Sequence, residues 1–210
     1  MNKKLRGVYL ITDTTVQQRY DHEQLAEMAI QGGVNIVQFR NKTGSANETF
    51  LHARNVAEAC TAYDTLNIIN DRTDIAMAAE ASGVHLGQDD LPITAARKLM
   101  GKEKIIGGTS STLEEAKQIE AEGGDYVALG HIFETSTKEK EYPPLGLKYL
   151  HKVSKAVTIP LVAIGGITLK NASEVIAAGA DMIAVSSAIC CAEDPVEATK
   201  QLVNSFKKLV

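Results

Sequence analysis

Short apolar runs rich in β-branched residues alternate with amphipathic stretches along the whole chain. The apolar runs are too short for helices, and several follow a glycine suited to end a helix, so each unit is interpreted as helix, turn and strand. The runs that predict strands are 7–12, 34–39, 66–70, 83–87, 104–109, 125–131, 159–164 and 181–187. The pattern therefore predicts a chain of repeated α/β units.

The stretches between these runs have apolar residues at helical spacing. The clearest predicted helices are 22–31, 48–63, 112–123, 169–179 and 194–209. Three of them begin beside a residue suited to cap a helix, namely Asp21, Asn47, and Asp194 with Pro195 just inside the helix. The connection between the runs 66–70 and 83–87 leaves room for only a short helix, which is the weakest of these predictions.

Eight alternations in one chain, without a linker rich in Gly, Ser or Pro, favour a single domain over residues 1–210. The predicted fold is an α/β (β/α)8 barrel, also called a TIM barrel. The alternative is a doubly wound open sheet. No glycine-rich dinucleotide fingerprint follows any of the predicted strands, which makes that alternative weaker.

Composition narrows the class of protein. The chain has 210 residues, of which 44% are hydrophobic, and no segment approaches the roughly 20 apolar residues of a membrane span. The first residues do not resemble a signal peptide, so we expect a cytoplasmic protein without a membrane partner. A net charge of −4 without a Lys/Arg block argues against nucleic acid. The expected partners are small-molecule substrates. The sequence is also compatible with a homo-oligomer.

Polar residues directly after the predicted strands should share one rim, because the carboxyl ends of parallel strands lie on one face. Asn70 and Asp71 follow the third strand, and Asp89 and Asp90 follow the fourth. Two carboxylates without a soft ligand suit Mg²⁺, which also binds water and substrate phosphate oxygens. The alternative is that each Asp only caps the following helix.

Cations and hydroxyls occur at the same rim. Arg40 and Lys42 follow the second strand, and Lys138 follows the hydroxyl cluster 135–137 beyond the sixth. An Arg fork and Lys point charges suit phosphate oxygens, so three cations facing two carboxylates predict a site for a polyphosphate bound with a metal ion.

A second anion site is predicted after the last two strands. In barrels of this type, the loops after strands seven and eight commonly bind a phosphate through backbone N–H groups. The segment 164–167 places Gly165 and Gly166 there, and the segment 185–189 adds Ser187. Two anion sites on one rim predict two phosphorylated substrates.

Seven motifs in this order resemble the thiamine phosphate synthase family from about residue 7 to residue 196. They are VYLITD (8–13), VQFRNK (37–42), INDR (69–72), GVHLGQDD (83–90), TSTK (135–138), VAIGGI (162–167) and VSSAI (185–189). The resemblance implies a (β/α)8 barrel that joins hydroxymethylpyrimidine diphosphate to a thiazole phosphate, giving thiamine phosphate and pyrophosphate with Mg²⁺.

The resemblance also implies roles for individual residues. Asp71 and Asp90 match the Mg²⁺ ligands. Contacts to the diphosphate are implied for Arg40, Lys42, Asn70 and Lys138, and Arg40, Lys42 and Lys138 are the predicted catalytic cations. Gln38 matches a contact to the pyrimidine. Contacts to the thiazole phosphate are implied for Thr135, Thr137, Gly166, Ser186 and Ser187.

Such chemistry needs no protein nucleophile, and the rim offers no Ser/His/Asp or Cys/His arrangement.

The sequence departs from the family pattern at three positions after strands five and six. Thr109 stands where the family often has Ser, which keeps a hydroxyl at this substrate-binding position, and Ser111 stands where His is common. His131 stands where synthases usually have Pro, and it resembles the acid/base His of the related thiazole tautomerase. A tautomerase is therefore one alternative, and a non-catalytic ligand-binding barrel is another. A structural His bonded to its neighbours is the simplest interpretation of His131.

Overall fold

Eight parallel strands close into a barrel in the computed structural model, which describes residues 5–135 and 142–207. The strands are β1 (Gly7–Thr12), β2 (Ile36–Phe39), β3 (Leu66–Asn70), β4 (Gly83–Leu86), β5 (Ile105–Ser110), β6 (Tyr126–Gly130), β7 (Leu161–Ile164) and β8 (Met182–Val185). Each strand pairs with the next one in sequence, and β8 pairs with β1. The predicted (β/α)8 barrel is confirmed, and the open sheet is wrong.

Helices connect successive strands around the outside of the barrel, and two more follow the last strand. They are α1 (His22–Gln31), α2 (Ala46–Ala62), α3 (Thr73–Ala78), α4 (Ile93–Met100), α5 (Leu113–Ala121), α6 (Gly146–Ser154), α7 (Ala172–Ala177), α8 (Ser187–Cys190) and α9 (Pro195–Lys207). The short helix expected between β3 and β4 is present as the six-residue α3. No helix in the described part of the chain is both long and apolar enough to cross a membrane.

Two of the three predicted helix caps are confirmed. Asp21 forms a capping box with Gln24 at the start of α1, and Oδ1 of Asp194 accepts the Glu197 N–H at 3.0 Å at the start of α9. The prediction for Asn47 is wrong, because α2 begins one residue earlier and Ser45 caps it through Glu48. Ser45 and Glu48 satisfy each other's backbone donors, which an Asn inside the first turn does not do.

The end of β8 also differs from the predicted strand 181–187. The strand ends at Val185, and Ser187 begins the short helix α8. The backbone therefore leaves the sheet at Ser186, where φ is −122° and ψ is −80°. This early end turns the two serines onto the rim instead of continuing the barrel wall.

The interior of the barrel is filled by inward-facing side chains. Tyr9, Ile68, Tyr126 and Met182 belong to this buried cluster, which is separate from the larger layer between strands and helices. A Cβ at Gly107 would lie 1.9 Å from Cζ of Tyr126. Gly107 therefore makes the room that lets the Tyr126 ring cross the barrel beneath the rim.

Candidate active site

A cavity of about 710 Å³ opens at the carboxyl ends of the strands. Every predicted site residue within the described ranges lines it. These residues are Gln38, Arg40, Lys42, Asn70, Asp71, Asp90, Thr109, His131, Thr135, Gly166, Ser186 and Ser187. Thr137 and Lys138, which the sequence also predicts as site residues, lie outside the described residues. The structure thus brings residues from both ends of the chain into one cavity.

The two predicted metal carboxylates lie side by side at this rim. Asp71 follows β3 with φ of 61°, and its N–H donates to the His85 carbonyl at 2.8 Å. Asp90 accepts the Gly87 N–H at 2.7 Å and contacts the Asp71 side chain. Burial and the Asp71 carboxylate both raise the pKa of Asp90, while the Gly87 N–H opposes them.

The capping alternative for these carboxylates is wrong. The residues at the N-cap positions of α3 and α4 are Arg72 and Pro92, and among the described residues neither helix has a side-chain cap. Asp71 instead pairs with the Lys42 ammonium across the rim. Both carboxylates therefore line the cavity and do not cap the following helices.

Arg40 is held by the carboxylate of Asp13, for which the sequence predicts no role. Asp13 follows β1, is only 2% exposed at its side chain, and pairs with the Arg40 guanidinium. The same carboxylate accepts the Thr15 N–H at 2.9 Å. Asp13 ends the VYLITD motif, so its position directly after a strand was the signal that could have found it. The pairing fixes the Arg40 fork at the rim before a ligand binds.

The glycine loop after β7 packs tightly on the segment after β6. Gly165 and Gly166 have φ of +98° and +65°, where L side chains are strained. A Cβ on Gly166 would lie 2.3 Å from the Glu134 carbonyl oxygen, and one on Gly165 would lie 2.4 Å from Cβ of His131. Glycine is therefore required for this loop to reach the cavity, where Ser186 and Ser187 lie beside it.

A hydrogen-bonded row of side chains lies beneath the cavity and reaches it at Gln38, His85 and Thr109. Gln38 Nε2 donates to the Tyr9 hydroxyl at 2.7 Å, and the Tyr9 and Tyr126 hydroxyls are 2.9 Å apart. The Tyr126 hydroxyl lies 3.0 Å from His85 Nδ1, and His85 Nε2 lies 2.8 Å from Thr109 Oγ1. Burial lowers the pKa of His85 to about 4, so its ring is neutral near neutral pH.

His131 is buried in the cavity wall beside Tyr142, with ring centroids 5.1 Å apart. Its Nδ1 atom is buried and has no hydrogen-bond partner within residues 5–135 and 142–207. The simplest interpretation, a histidine bonded to its neighbours, does not account for that nitrogen. Nδ1 is thus a buried polar atom of the cavity wall whose hydrogen bond the described residues do not supply.

The cysteines do not supply a nucleophile to the cavity. None of the three lines it in the part of the chain that is described. Burial raises the pKa of Cys60 to about 12 and that of Cys190 to about 11. Both thiols are therefore protonated and unreactive near neutral pH.

The fold and the rim define a class: a (β/α)8 enzyme barrel with paired carboxylates, fixed cations and a glycine loop suited to phosphorylated ligands. Residues 8–189 match the sequence profile of the family described as thiamine monophosphate synthase. The chain belongs to the thiamine monophosphate synthase family, as the motifs predicted.

Known relatives agree with this membership. The thiamine-phosphate synthase of Methanospirillum hungatei is 42% identical over 94% of this chain and 96% of its own length. That of Chlorobium luteolum is 49% identical over 83% of this chain and 82% of its own. The structure of the thiamine phosphate pyrophosphorylase from Pyrococcus furiosus covers 99% of this chain and 98% of its own, with a TM-score of 0.90 and 36% identity. The chain is accordingly an enzyme, a transferase, rather than a non-catalytic binding barrel.

Proposed function

We propose that the chain joins 4-amino-2-methyl-5-hydroxymethylpyrimidine diphosphate to 4-methyl-5-(2-phosphooxyethyl)thiazole, or to its carboxylate, giving thiamine phosphate and pyrophosphate. The observation that carries the proposal is that one cavity holds a carboxylate pair, two cations and a glycine loop with two serines. A diphosphate and a separate phosphate need these two kinds of anion site on one rim.

Mg²⁺ fits the carboxylate pair. Asp71 and Asp90 are hard oxygen donors in mutual contact. Burial, and after it the Asp71 carboxylate, raises the pKa of Asp90, and a cation would offset the charge of the pair. The described residues hold no cluster of three or more His, Cys, Asp or Glu side chains suited to a metal ion. The remaining oxygen ligands would come from water and the substrate diphosphate, as is usual for this ion. When bound, the ion would neutralise charge on the leaving pyrophosphate.

The protein's own cations would act on the same leaving group. In this substitution the methylene carbon attached to the pyrimidine ring releases pyrophosphate and bonds to the thiazole nitrogen, and the electron-rich pyrimidine carries the developing positive charge. Arg40, held by Asp13, presents a fixed fork to diphosphate oxygens, and Lys42 adds a point charge from beside Asp71. Groups fixed before the reaction stabilise the developing charge without reorganising. Lys138 is proposed for the same role by its sequence position.

The thiazole phosphate would occupy the other end of the cavity. Gly166, Ser186 and Ser187 come from the loops after β7 and β8, and Thr135 comes from the segment after β6. Backbone N–H groups freed by glycine and nearby hydroxyls suit a phosphate monoester. Thr137 is proposed here on its sequence position alone.

The deciding experiment mixes the purified protein with both substrates, with Mg²⁺ or with excess EDTA, and measures thiamine phosphate. We expect product only with Mg²⁺, since the pyrophosphate would otherwise leave with its charge uncompensated. Absence of product with Mg²⁺ and both forms of the thiazole would contradict the proposed function.

Arg40→Ala is expected to raise the KM for the pyrimidine diphosphate about tenfold or more, and the KM for the thiazole phosphate much less. It should also lower the free energy of unfolding by about 2–3 kcal/mol, because the buried Asp13 carboxylate loses its cation and keeps only its hydrogen bonds from Thr15. The double variant Arg40→Ala/Asp13→Asn is the control: we expect it to recover stability but not diphosphate binding. Equal weakening of both substrates would contradict the division into two anion sites.

Thiazole tautomerase is the second candidate function, because Nδ1 of His131 is buried in the cavity wall without a partner among the described residues. In a synthase no protein base limits the rate, so His131→Asn should lower it less than about 100-fold. In a tautomerase, which moves a proton on the thiazole phosphate carboxylate, the same variant should lose most activity while EDTA has little effect. Proton exchange on the thiazole, followed by NMR, separates the two.

A further inference from the structure

Two buried tyrosines and a histidine connect Gln38 of β2 to Thr109 of β5 through side-chain hydrogen bonds. We call Tyr9, Tyr126 and His85 the buried relay. Tyr9 and Tyr126 are 1% and 0% exposed and do not line the cavity. His85 lines it, as do Gln38 at one end of the relay and Thr109 at the other. The four contacts between Gln38 and Thr109 measure 2.7, 2.9, 3.0 and 2.8 Å. All four are ordinary hydrogen-bond lengths.

The hydrogen bonds of the relay all run in one direction, from Gln38 toward His85. Gln38 Nε2 donates to Tyr9, and each tyrosine hydroxyl has one proton to donate. Tyr9 therefore donates to Tyr126, since these are its two partners in the described structure. Tyr126 in turn donates to His85 Nδ1, because its oxygen already accepts from Tyr9.

The direction of these hydrogen bonds determines the tautomer of His85. It also determines which atoms of Gln38 and Thr109 are left to bind a ligand. With Nδ1 accepting, the ring proton is on Nε2 and is donated to Thr109 Oγ1. The Thr109 hydroxyl proton is then left for a ligand, and so is the Gln38 Oε1 carbonyl. A protonated His85 would not fit this order, because Tyr126 would then donate to Tyr9 and leave the buried Tyr9 proton without an acceptor.

Gln38 and Thr109 cannot switch between donor and acceptor independently of each other. If the Gln38 amide turned its Oε1 toward Tyr9, every proton in the relay would have to reverse, and His85 would carry its proton on Nδ1. The ligand would then meet an N–H donor at Gln38, and Thr109 could only accept. One end therefore always presents an acceptor while the other presents a donor.

We propose that the buried relay is a specificity device of the pyrimidine subsite, which keeps Gln38 as an acceptor for the ring's amino group and Thr109 as a donor to a ring nitrogen. The inference rests on the proposed function and extends it. The relay residues are positioning residues, because they act through Gln38 and Thr109. A 4-oxopyrimidine has the opposite pattern, a carbonyl where the substrate has an amino group, and its binding requires the whole relay to reverse. The relay thus selects an aminopyrimidine over its oxo counterpart.

The first test compares 4-amino and 4-oxo pyrimidine diphosphates as substrates. We expect the wild-type protein to prefer the amino form in kcat/KM by about a thousandfold or more, since mismatched buried polar groups are left unpaired. Tyr126→Phe keeps the ring but breaks the relay, and should shrink that preference about tenfold or more. The change should come through KM for the pyrimidine, with KM for the thiazole phosphate unaltered. Tyr9→Phe should act in the same direction.

Tyr149→Phe is the matched control. It also removes a tyrosine hydroxyl that forms a hydrogen bond, since the Tyr149 hydroxyl accepts the Leu113 N–H at 2.9 Å. Tyr149 does not line the cavity. We expect its preference to equal that of the wild type. A folded Tyr126→Phe protein that keeps the full preference would overturn the proposal.

The second test does not depend on activity. Nitrogen-15 NMR of the wild-type histidines, assigned with a His85→Asn variant, should show His85 protonated on Nε2 and not on Nδ1 near neutral pH. Protonation on Nδ1 would overturn the direction of the relay, even if the tyrosine variants fail to fold. If the wild type has the expected tautomer but makes no thiamine phosphate, the proposed function fails while the relay stands.

Discussion

Asp71→Asn and Asp90→Asn are each expected to lower the rate of thiamine phosphate formation about a thousandfold, with both substrates and Mg²⁺ saturating. The two carboxylates are in contact at the rim, and neither caps a helix in the described structure. An amide keeps the size of the side chain but removes the charge that would hold Mg²⁺. Several kcal/mol of charge neutralisation at the leaving pyrophosphate would then be lost, and 4 kcal/mol is about a thousandfold in rate.

The matched control for this prediction is Asp74→Asn. Asp74 lies only three residues from Asp71 but pairs with Arg72 and does not line the cavity. We expect it to keep the wild-type rate. Steady-state kinetics, with calorimetric titration of Mg²⁺ in the presence of pyrophosphate, would measure both effects. Wild-type rates in Asp71→Asn and Asp90→Asn would exclude the two residues as essential metal ligands.

Much of the fold could be predicted because its signals are local. Each strand is a short, mostly apolar run, and eight of them in regular alternation favour a closed barrel. The rim could be predicted for the same reason, since a residue directly after a parallel strand lies at the carboxyl face whatever the partner strand is. Asp71 directly follows β3 and reaches the cavity by that rule, and Asp90 reaches it from the loop after β4. It is harder to predict which of two neighbouring residues caps a helix. Ser45 and Asn47 are both suited to cap α2, and only the pairing with Glu48 decides between them.

The support beneath the rim could not be predicted, because it depends on which inward side chains meet across the barrel. Tyr9 and Tyr126 are 117 residues apart, and His85 and Tyr126 are 41 apart. Within a strand, such residues look like ordinary members of an apolar run. Their partners are set by strand register and by the space that Gly107 leaves. The pairing of Asp13 with Arg40 is of the same kind, since it joins the ends of two different strands.

Gly166→Ala is expected to raise the KM for the thiazole phosphate about 100-fold and to leave the KM for the pyrimidine diphosphate nearly unchanged. The added Cβ would lie 2.3 Å from the Glu134 carbonyl oxygen and 2.8 Å from Cβ of Phe133, at a φ of +65°. Backbone cannot yield as a flexible side chain can, so the loop after β7 must move away from the segment after β6. A displacement of about 1 Å in a positioning loop is enough for a loss of this size.

Gly123→Ala separates this effect from the general cost of replacing a glycine with positive φ. Gly123 has φ of +86°, but a Cβ there would meet nothing within 4 Å, and it lies between α5 and β6 at the opposite end of the barrel. We expect it to lower the free energy of unfolding by about 1 kcal/mol and to leave both KM values unchanged. Thermal unfolding and steady-state kinetics on the two variants make the comparison. If Gly166→Ala weakened both substrates equally, the loop after β7 would support the whole cavity, and the assignment of a separate thiazole phosphate site to Gly166 and the two serines would be wrong.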